Sequence, residues 1–288
     1  MTAAEAGAGG PRAGTRPAAE ARPATRTGNA ARPGARIEAA IRAARDRGRP
    51  ALAAFVTAGF PDREGFGDVL RAVGGAADVL EVGVPFSDPM ADGVTIQRAS
   101  RAALAAGVTL PWILAEVDRA RPAAPVLLMS YLNPLLAFGM ERLGPALAEA
   151  GVAGLIVPDL PYEESAEIAD ALEPAGAGLV QLVTPVTPPE RARRLCEASR
   201  GFVYAVTRTG ITGGGSDVEG VAGFLDGLRA VSPVPVLAGF GIRDAAQVRR
   251  IAPHADGVIV GSALVERLER GEDPAAFLRG LMTEGGRE

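Results

Sequence analysis

The chain has 288 residues, of which 48% are hydrophobic and 22% charged, and its formal net charge is −4. This composition is typical of a globular protein, and the weak negative charge gives no electrostatic reason to expect a nucleic-acid partner. No apolar run approaches the length of a membrane span, so we expect no membrane association and a cytoplasmic location.

The residue types that are missing exclude several chemistries. All 30 basic residues are arginine, which excludes a Schiff-base lysine, an internal pyridoxal phosphate linkage and the lysine of a Walker-A loop. The single histidine, His254, and the single cysteine, Cys196, leave no His/Cys metal site. One cysteine cannot form a disulfide within the chain, which fits a reducing compartment. Catalysis is therefore expected from carboxylates, tyrosine, arginine, hydroxyls and backbone groups.

Residues 1–35 form a low-complexity tract of Ala, Arg, Pro, Gly and Thr with scarcely any large apolar side chain. Such a tract cannot bury enough surface to offset the entropy of ordering, so it is predicted to be a disordered extension. It lacks the apolar core of a secretory signal. A transit peptide and a tether to an anionic surface remain as alternatives for this tract.

Residues 36–288 are predicted to form one catalytic domain in which short apolar runs alternate with amphipathic helical patterns. The predicted strands are Leu52–Thr57, Val79–Gly83, Val126–Ser130, Gly154–Val157, Gly178–Val183, Phe202–Val206, Val236–Ala238 and Gly257–Val260. The predicted helices are Glu64–Val73, Val94–Ala105, Pro111–Arg121, Met140–Ala150, Ser165–Leu172, Pro189–Ser199, Val218–Ala230, Asp244–Ile251 and the segment Ala263–Leu268. This α/β pattern predicts a (β/α)8 TIM barrel as a single domain. An open doubly wound sheet is the alternative, although no G-x-G-x-x-G motif opens the first βα unit.

A carboxylate interrupts the second predicted strand. Side chains alternate along a strand, so Glu81 shares a face with Val79 and Gly83, and the following Pro/Gly-rich loop carries Asp88 and Asp92. An ionised group that faces a packed interior is costly unless it is compensated. The alternative is a structural glutamate paired with an arginine. A carboxyl held at a barrel mouth for acid–base chemistry is the interpretation that we favour.

Two glycine-rich loops follow the last two predicted strands, Gly239-Phe240-Gly241 and Gly261-Ser262. In barrels these loops often bind phosphate through backbone N–H groups and a short helix N-terminus. Ordinary turns, which also favour glycine, are the alternative. The pair of loops at the expected places favours a phosphate site.

Three further loop or strand-end features surround the predicted site. The run Thr209–Ser216 after the sixth strand predicts either a mobile lid or a surface connection without a role. Tyr204 just before it either places a phenol near the site or packs in the core. Asp159 after the fourth strand either fixes a neighbouring loop or Asp92 through hydrogen bonds, or serves the turn.

The segment from Leu80 to Gln97, which reads LEVGVPFSDPMADGVTIQ, closely resembles the signature of the tryptophan synthase alpha chain family. The resemblance continues in the family's order to the C-terminus. It includes the segments Phe55–Gly59, Val157–Pro161, Thr209–Gly213, Gly239–Ile242 and Gly261–Ala263.

The resemblance implies a lyase of tryptophan biosynthesis that cleaves indole-3-glycerol phosphate to indole and glyceraldehyde 3-phosphate by a retro-aldol reaction. It also implies that Glu81 and Asp92 are catalytic and that Tyr204 lies nearby. The substrate-binding positions that it implies are Phe55, Leu128, Tyr131, Thr212, Gly213, Phe240, Gly241, Gly261 and Ser262. Neither a metal nor a cofactor is implied for this chain.

The partner that the resemblance implies is a pyridoxal-phosphate-dependent beta chain, in an alpha2beta2 heterotetramer. Two features depart from the family pattern. Gly214-Gly215-Ser216 stands where the family commonly has an alanine and then a basic or polar residue, and the N-terminal tract has no usual counterpart. A catalytically silent phosphate-binding barrel that only activates a partner is the alternative function. An indole-glycerol-phosphate synthase-like protein is disfavoured because that chemistry uses lysine acids.

Overall fold

A computed structural model of the chain describes residues 32–207, 218–239 and 241–283. The described strands are β1 (Ala51–Thr57), β2 (Val79–Gly83), β3 (Val126–Met129), β4 (Val152–Ile156), β5 (Gly178–Val183), β6 (Val203–Val206), β7 (Val236–Gly239) and β8 (Gly257–Val260). All eight pair in parallel in sequence order. The barrel closes because β8 pairs with β1, where Ala51 stands opposite Gly257. The predicted TIM barrel is therefore confirmed, and the open sheet is excluded.

The described helices surround the barrel. They are α1 (Ala35–Asp46), α2 (Phe66–Gly74), α3 (Val94–Ala105), α4 (Leu110–Ala120), α5 (Leu132–Phe138), α6 (Met140–Glu149), α7 (Ala166–Leu172), α8 (Pro189–Ala198), α9 (Val218–Val231), α10 (Ala245–Ile251), α11 (Ser262–Glu269) and α12 (Pro274–Leu281). Short 3₁₀ turns span Tyr162–Glu164 and Glu173–Ala175. None of the helices that the structure describes is long and apolar enough to cross a membrane.

Three of these helices, α1, α5 and α12, were not predicted. Helix α1 packs its Ile37, Ile41 and Ala44 into the same buried cluster as the interior residues of the strands. Gly154 permits this contact, because a Cβ atom on it would lie only 2.7 Å from Cδ1 of Ile37. The helix begins at Ala35, and the N–H of Gly34 donates to the carbonyl of Gly176 at 3.1 Å. Residues 32–35 are thus part of the barrel's folded surface, while residues 1–31 of the predicted disordered extension lie outside the described residues.

The barrel has two apolar layers, which follow from the alternation of side chains along each strand. The inner layer contains Val79, Leu127, Ile156, Phe202 and Ile259 beside the apolar face of α1. The outer layer lies between the strands and the surrounding helices and contains residues of opposite parity. This parity decides which side chains can reach the mouth of the barrel.

Candidate active site

Glu81 occupies the middle of β2 and is 1% exposed. Its neighbours in register are Phe55 on β1 and Leu127 on β3. Burial, with a smaller contribution from the negative charge of Asp92, raises its pKa to about 8. No salt bridge among the described residues includes Glu81, so the structural Glu–Arg pair has no support there. At neutral pH this carboxyl group therefore keeps its proton.

Asp92 lies in the loop after β2, where its side chain is half-buried. Burial raises its pKa to about 6, and a hydrogen bond from the Tyr131 side chain opposes this shift. The loop is held from two sides. The N–H of Ala91 donates to the Tyr131 hydroxyl at 2.9 Å, and Nε2 of Gln97 donates to the carbonyl of Asp92 at 2.9 Å. Asp92 is thus mostly ionised at neutral pH, unlike Glu81.

A small pocket joins Asp92 to an apolar wall. It is lined by Phe55, Thr57, Gly83, Val84, Asp92, Ile96, Ser100, Met129 and Tyr131. The ring of Phe55 lies over Gly83, where a Cβ atom would come within 2.5 Å of the ring. Tyr131 stacks on Phe86 with ring centroids 5.0 Å apart. Burial raises the pKa of Tyr131 to about 12, with the charge of Asp92 adding to the shift, so the phenol stays protonated.

Leu128, which the family resemblance gives as a substrate-binding position, is not among the residues that line this pocket. Its register partner is Val82, and both side chains belong to the outer layer against the helices. The adjacent Met129 has the opposite parity and lines the pocket instead. The register of β3 against β2, in which Leu127 stands opposite Glu81, places Met129 on the inward-facing parity.

Tyr204 stands on β6 with its ring against Gly239 of the next strand. A Cβ atom on Gly239 would lie 2.6 Å from Cε1 and 2.9 Å from the hydroxyl of Tyr204, so only glycine fits there. Burial raises the pKa of Tyr204 well above its usual value, and the charges of Glu81 and then Asp92 add to the shift. The tyrosine is thus a neutral phenol close to both carboxyl groups.

The loops after β7 and β8 lie at the same end of the barrel. Gly241 has φ +67°, a left-handed conformation that favours glycine. Gly261 directly precedes α11, whose first residue is Ser262, and a Cβ atom on Gly261 would lie 3.7 Å from Cβ of Phe55. The N-terminus of α11 therefore opens beside the Phe55 wall, which suits an anion. The predicted residues Thr212, Gly213 and Phe240 lie outside the described residues.

Asp159 links two of the loops at this end. Its Oδ1 accepts a hydrogen bond from the N–H of Leu132 at 2.9 Å, at the start of α5. The residue therefore fixes the loop that carries Tyr131, which is one of the two predicted roles. Besides Met129, five pocket residues were not predicted as site residues: Thr57, Gly83, Val84, Ile96 and Ser100. Across 32–207, 218–239 and 241–283, no group of three or more His, Cys, Asp or Glu side chains is placed to hold a metal ion.

Comparison with known proteins identifies the family of the chain. The family model described as tryptophan synthase alpha chain matches residues 41–283. The tryptophan synthase alpha chain of Desulfovibrio desulfuricans is 45% identical over 248 residues, which cover 84% of this chain and 97% of the relative. That of Deinococcus radiodurans is 42% identical over 246 residues, which cover 84% and 91% respectively.

Solved structures are also similar. A chain in a structure of Mycobacterium tuberculosis tryptophan synthase has a TM-score of 0.78 and 37% identity, covering 86% of this chain and 99% of that one. The tryptophan synthase subunit alpha of Legionella pneumophila has a TM-score of 0.78 and 32% identity, covering 86% and 97%. The barrel fold, the two carboxyl groups at its mouth and these matches lead to one conclusion. The chain belongs to the tryptophan synthase alpha chain family, a family of lyases.

Proposed function

We propose that this chain cleaves indole-3-glycerol phosphate to indole and glyceraldehyde 3-phosphate, with Glu81 as the proton shuttle and Asp92 as the charged partner of the indole ring. The observation that carries the proposal is the difference between the two carboxyl groups. Their pKa values of about 8 and about 6 leave one protonated and the other ionised at neutral pH. A reaction that needs an acid and a negative charge together can use this pair.

The first step is protonation of the substrate at indole C3. The Glu81 carboxylic acid gives its proton to C3, which leaves a carboxylate and a cationic ring. Asp92 stabilises that cation by accepting a hydrogen bond from the ring N–H. Because the site is largely buried, this charge interaction is stronger than it would be in water.

The second step breaks the bond between C3 and the glycerol side chain. The electron pair of this bond returns to C3 and restores the aromatic ring. The hydroxyl oxygen on the adjacent carbon becomes the aldehyde oxygen, and its proton goes to the Glu81 carboxylate. Glu81 thus ends the cycle protonated, as it began, and the step needs neither a metal nor a lysine.

Binding of the substrate divides into an apolar part and an anionic part. The pocket wall of Phe55, Met129 and Tyr131 suits the flat indole ring. Gly241, Gly261 and Ser262 suit the phosphate, because backbone N–H groups and the N-terminus of α11 face this end of the barrel. Thr212, Gly213 and Phe240 complete the proposed contacts by family resemblance. Tyr204 adds a neutral phenol beside both carboxyl groups.

Members of this family generally pair with a beta chain. We place the docking surface for that chain on the β2–α3 loop and the start of α3, where Met90 is 83% exposed and Val94 is 73% exposed. A contiguous apolar patch formed by these two side chains would suit an interface with another chain. The partner would carry pyridoxal phosphate and use the released indole, in a cytoplasmic alpha2beta2 complex. Size-exclusion chromatography with and without a beta chain tests this assembly.

The test of the reaction is indole release by the purified full chain from indole-3-glycerol phosphate. Glu81→Gln should reduce turnover by about 10²–10⁴-fold, since it removes the acid–base group. Glycerol phosphate should still bind to the variant, because the phosphate loops are unchanged. A wild-type chain that binds the substrate but releases no indole would instead support the silent-subunit alternative. Near wild-type turnover by Glu81→Gln would refute the assignment of the shuttle.

A further inference from the structure

Three buried side-chain oxygens find no hydrogen-bond partner among the described residues, and two of them lie at the mouth of the barrel. These two are Thr57 Oγ1 and Glu81 Oε2. The third belongs to Glu116 on an outer helix, whose other oxygen is paired with Arg119. Buried hydroxyl groups are normally hydrogen-bonded, and leaving one unpaired costs free energy. Thr57 is 1% exposed, so bulk solvent does not supply the missing partner.

Thr57 faces the same side of the barrel as Phe55, one pleat closer to the mouth. It is the last residue of β1 and pairs with Gly83 on β2, whereas Phe55 pairs with Glu81. Gly83 has no side chain to cover the hydroxyl. Thr57 and Asp92 both line the small pocket described above. Thr57, which carries the unpaired hydroxyl, and Asp92 are therefore both wall residues of one small cavity.

The Asp92 loop has anchors for its backbone but few for its carboxylate. Gln97 and Tyr131 hold the backbone at Asp92 and Ala91, and only Tyr131 donates to the carboxylate among the described residues. The other titratable groups that influence Asp92 or its neighbours are Glu81 from β2, Tyr204 from β6 and Asp159 after β4. None of these three favours the ionised form of Asp92. A second donor would both orient the carboxylate and keep it ionised.

We infer that Thr57 is a positioning residue whose hydroxyl donates to the Asp92 carboxylate when the indole ring is bound in the pocket. The inference rests on the proposed function, in which Asp92 must stay ionised to accept the ring N–H. Because the hydroxyl has no hydrogen-bond partner in the free chain, it contributes a stabilising hydrogen bond only when the substrate is bound. The unpaired hydroxyl destabilises the free chain slightly, and its hydrogen bond to Asp92 stabilises the transition state.

The test compares Thr57→Val, which keeps the shape and removes the hydroxyl, with Thr57→Ser, which keeps the hydroxyl. We expect Thr57→Val to be at least as stable as wild type in urea, since it removes an unpaired buried group. Its kcat should fall about tenfold, and the acid limb of its pH–rate profile should move up by about one pH unit. Thr57→Ser should restore both values toward wild type.

Two controls separate positioning from a structural role. Thr207→Val removes a hydroxyl that donates to the carbonyl of Gly239 at 3.0 Å, so this variant should lose stability. In an Asp92→Asn background, adding Thr57→Val should cause no further loss of kcat, because the partner of the hydroxyl has already lost its charge.

Several results would overturn the inference. They are an unchanged kcat and acid limb in Thr57→Val, a further loss in the Asp92→Asn background, or a fall in stability that accounts for the lost activity. A Thr57→Ser variant as impaired as Thr57→Val would also overturn it. If wild type itself releases no indole, the proposed function fails and the inference fails with it. An active wild type with an unaffected Thr57→Val variant refutes the inference alone.

Discussion

The hydroxyl of Tyr131 accepts a hydrogen bond from the backbone N–H of Ala91 at 2.9 Å and donates to the Asp92 carboxylate. Tyr131 lies two residues after the end of β3. Its side chain thus holds two neighbouring positions of the β2–α3 loop. Asp159 supports it in turn by accepting the N–H of Leu132. The position and the charge of Asp92 therefore depend on residues that lie about 40 and 67 positions away in sequence.

Tyr131→Phe removes both hydrogen bonds and keeps the aromatic stack on Phe86. The pKa of Asp92 should rise above about 6, because the lost bond favoured the ionised form. Activity on the acid side should then disappear at a higher pH than in wild type, and stability should fall by about 1 kcal/mol. A pH–rate profile and urea unfolding measure the two effects. Phe86→Leu, which removes the stack and keeps the hydroxyl, is the control and should leave the acid limb in place.

The wild-type pH–rate profile should be bell-shaped. Activity requires ionised Asp92 and protonated Glu81, so kcat/KM should fall below about pH 6 and above about pH 8. Measurement of indole release from pH 5 to pH 9.5 checks both limbs. Asp92→Asn should lose the acid limb along with most activity. A profile that stays flat across pH 8 would contradict the role given to Glu81.

Glu81 should also make the chain less stable at alkaline pH. Its pKa in the fold is about 8, whereas a glutamate in an unfolded chain titrates near about 4.3. The folded state holds the proton between these values and the unfolded state does not. The contribution of Glu81 to the free energy of unfolding is therefore complete below about pH 4 and is lost as pH rises through about 8.

Glu81→Gln has no such dependence, so it should be more stable than wild type at pH 9 and comparable at pH 4.5. The difference grows by about 1.4 kcal/mol per unit of pKa shift, as an order of magnitude. Urea unfolding at a series of pH values measures it. Glu149→Gln, at the exposed end of α6, is the matched control and should follow the wild-type curve. Parallel curves for Glu81→Gln and wild type would show that Glu81 is not buried as a neutral acid.

The opposite end of the barrel should carry stability rather than activity. Asp78, just before β2, accepts from both guanidinium nitrogens of Arg49 at 2.6 and 2.7 Å and from the N–H of Leu52 at 2.9 Å. Asp78→Ala removes the carboxylate that pairs with Arg49 and leaves the Leu52 N–H without its acceptor, so it should cost about 2–3 kcal/mol. The Asp68 side chain, which is 83% exposed, pairs with Arg71. Asp68→Ala should therefore cost less than about 1 kcal/mol. Both variants should keep wild-type KM when folded, as thermal unfolding and indole assays can establish.

Leu128 and Met129 are adjacent, and their substitutions should have different effects. Leu128→Ala opens a cavity in the outer layer and should cost about 2–5 kcal/mol of stability. The substrate KM should be nearly unchanged in that variant. Met129→Ala removes part of the pocket wall and should raise KM severalfold with a smaller loss of stability. Urea unfolding together with steady-state kinetics distinguishes the two variants. A KM that is raised in Leu128→Ala and not in Met129→Ala would show that Leu128 contacts the substrate.

Local patterns in the sequence determined much of this protein. Short apolar runs predicted all eight strands within one or two residues, because parallel strands that are buried on both faces have a nearly continuous apolar sequence. The segment from Leu80 to Gln97 identified the family, and the absence of lysine already excluded imine chemistry. Helix α5 was missed because Asn133-Pro134 also suits a turn. Helix α1 was missed because it precedes the first strand, so the alternation of strands with following helices did not indicate it.

Tertiary structure alone decided the electrostatics of the site. The proton on Glu81 and the charge on Asp92 depend on burial and on side chains from β2, β3 and β6 that only the closed barrel brings together. It also decided that Met129, and not Leu128, lines the pocket, because register across neighbouring strands determines which parity points inward. The pKa of a buried group and the lining of a pocket both depend on distances between residues that are remote in sequence. Those distances are fixed only in the folded chain.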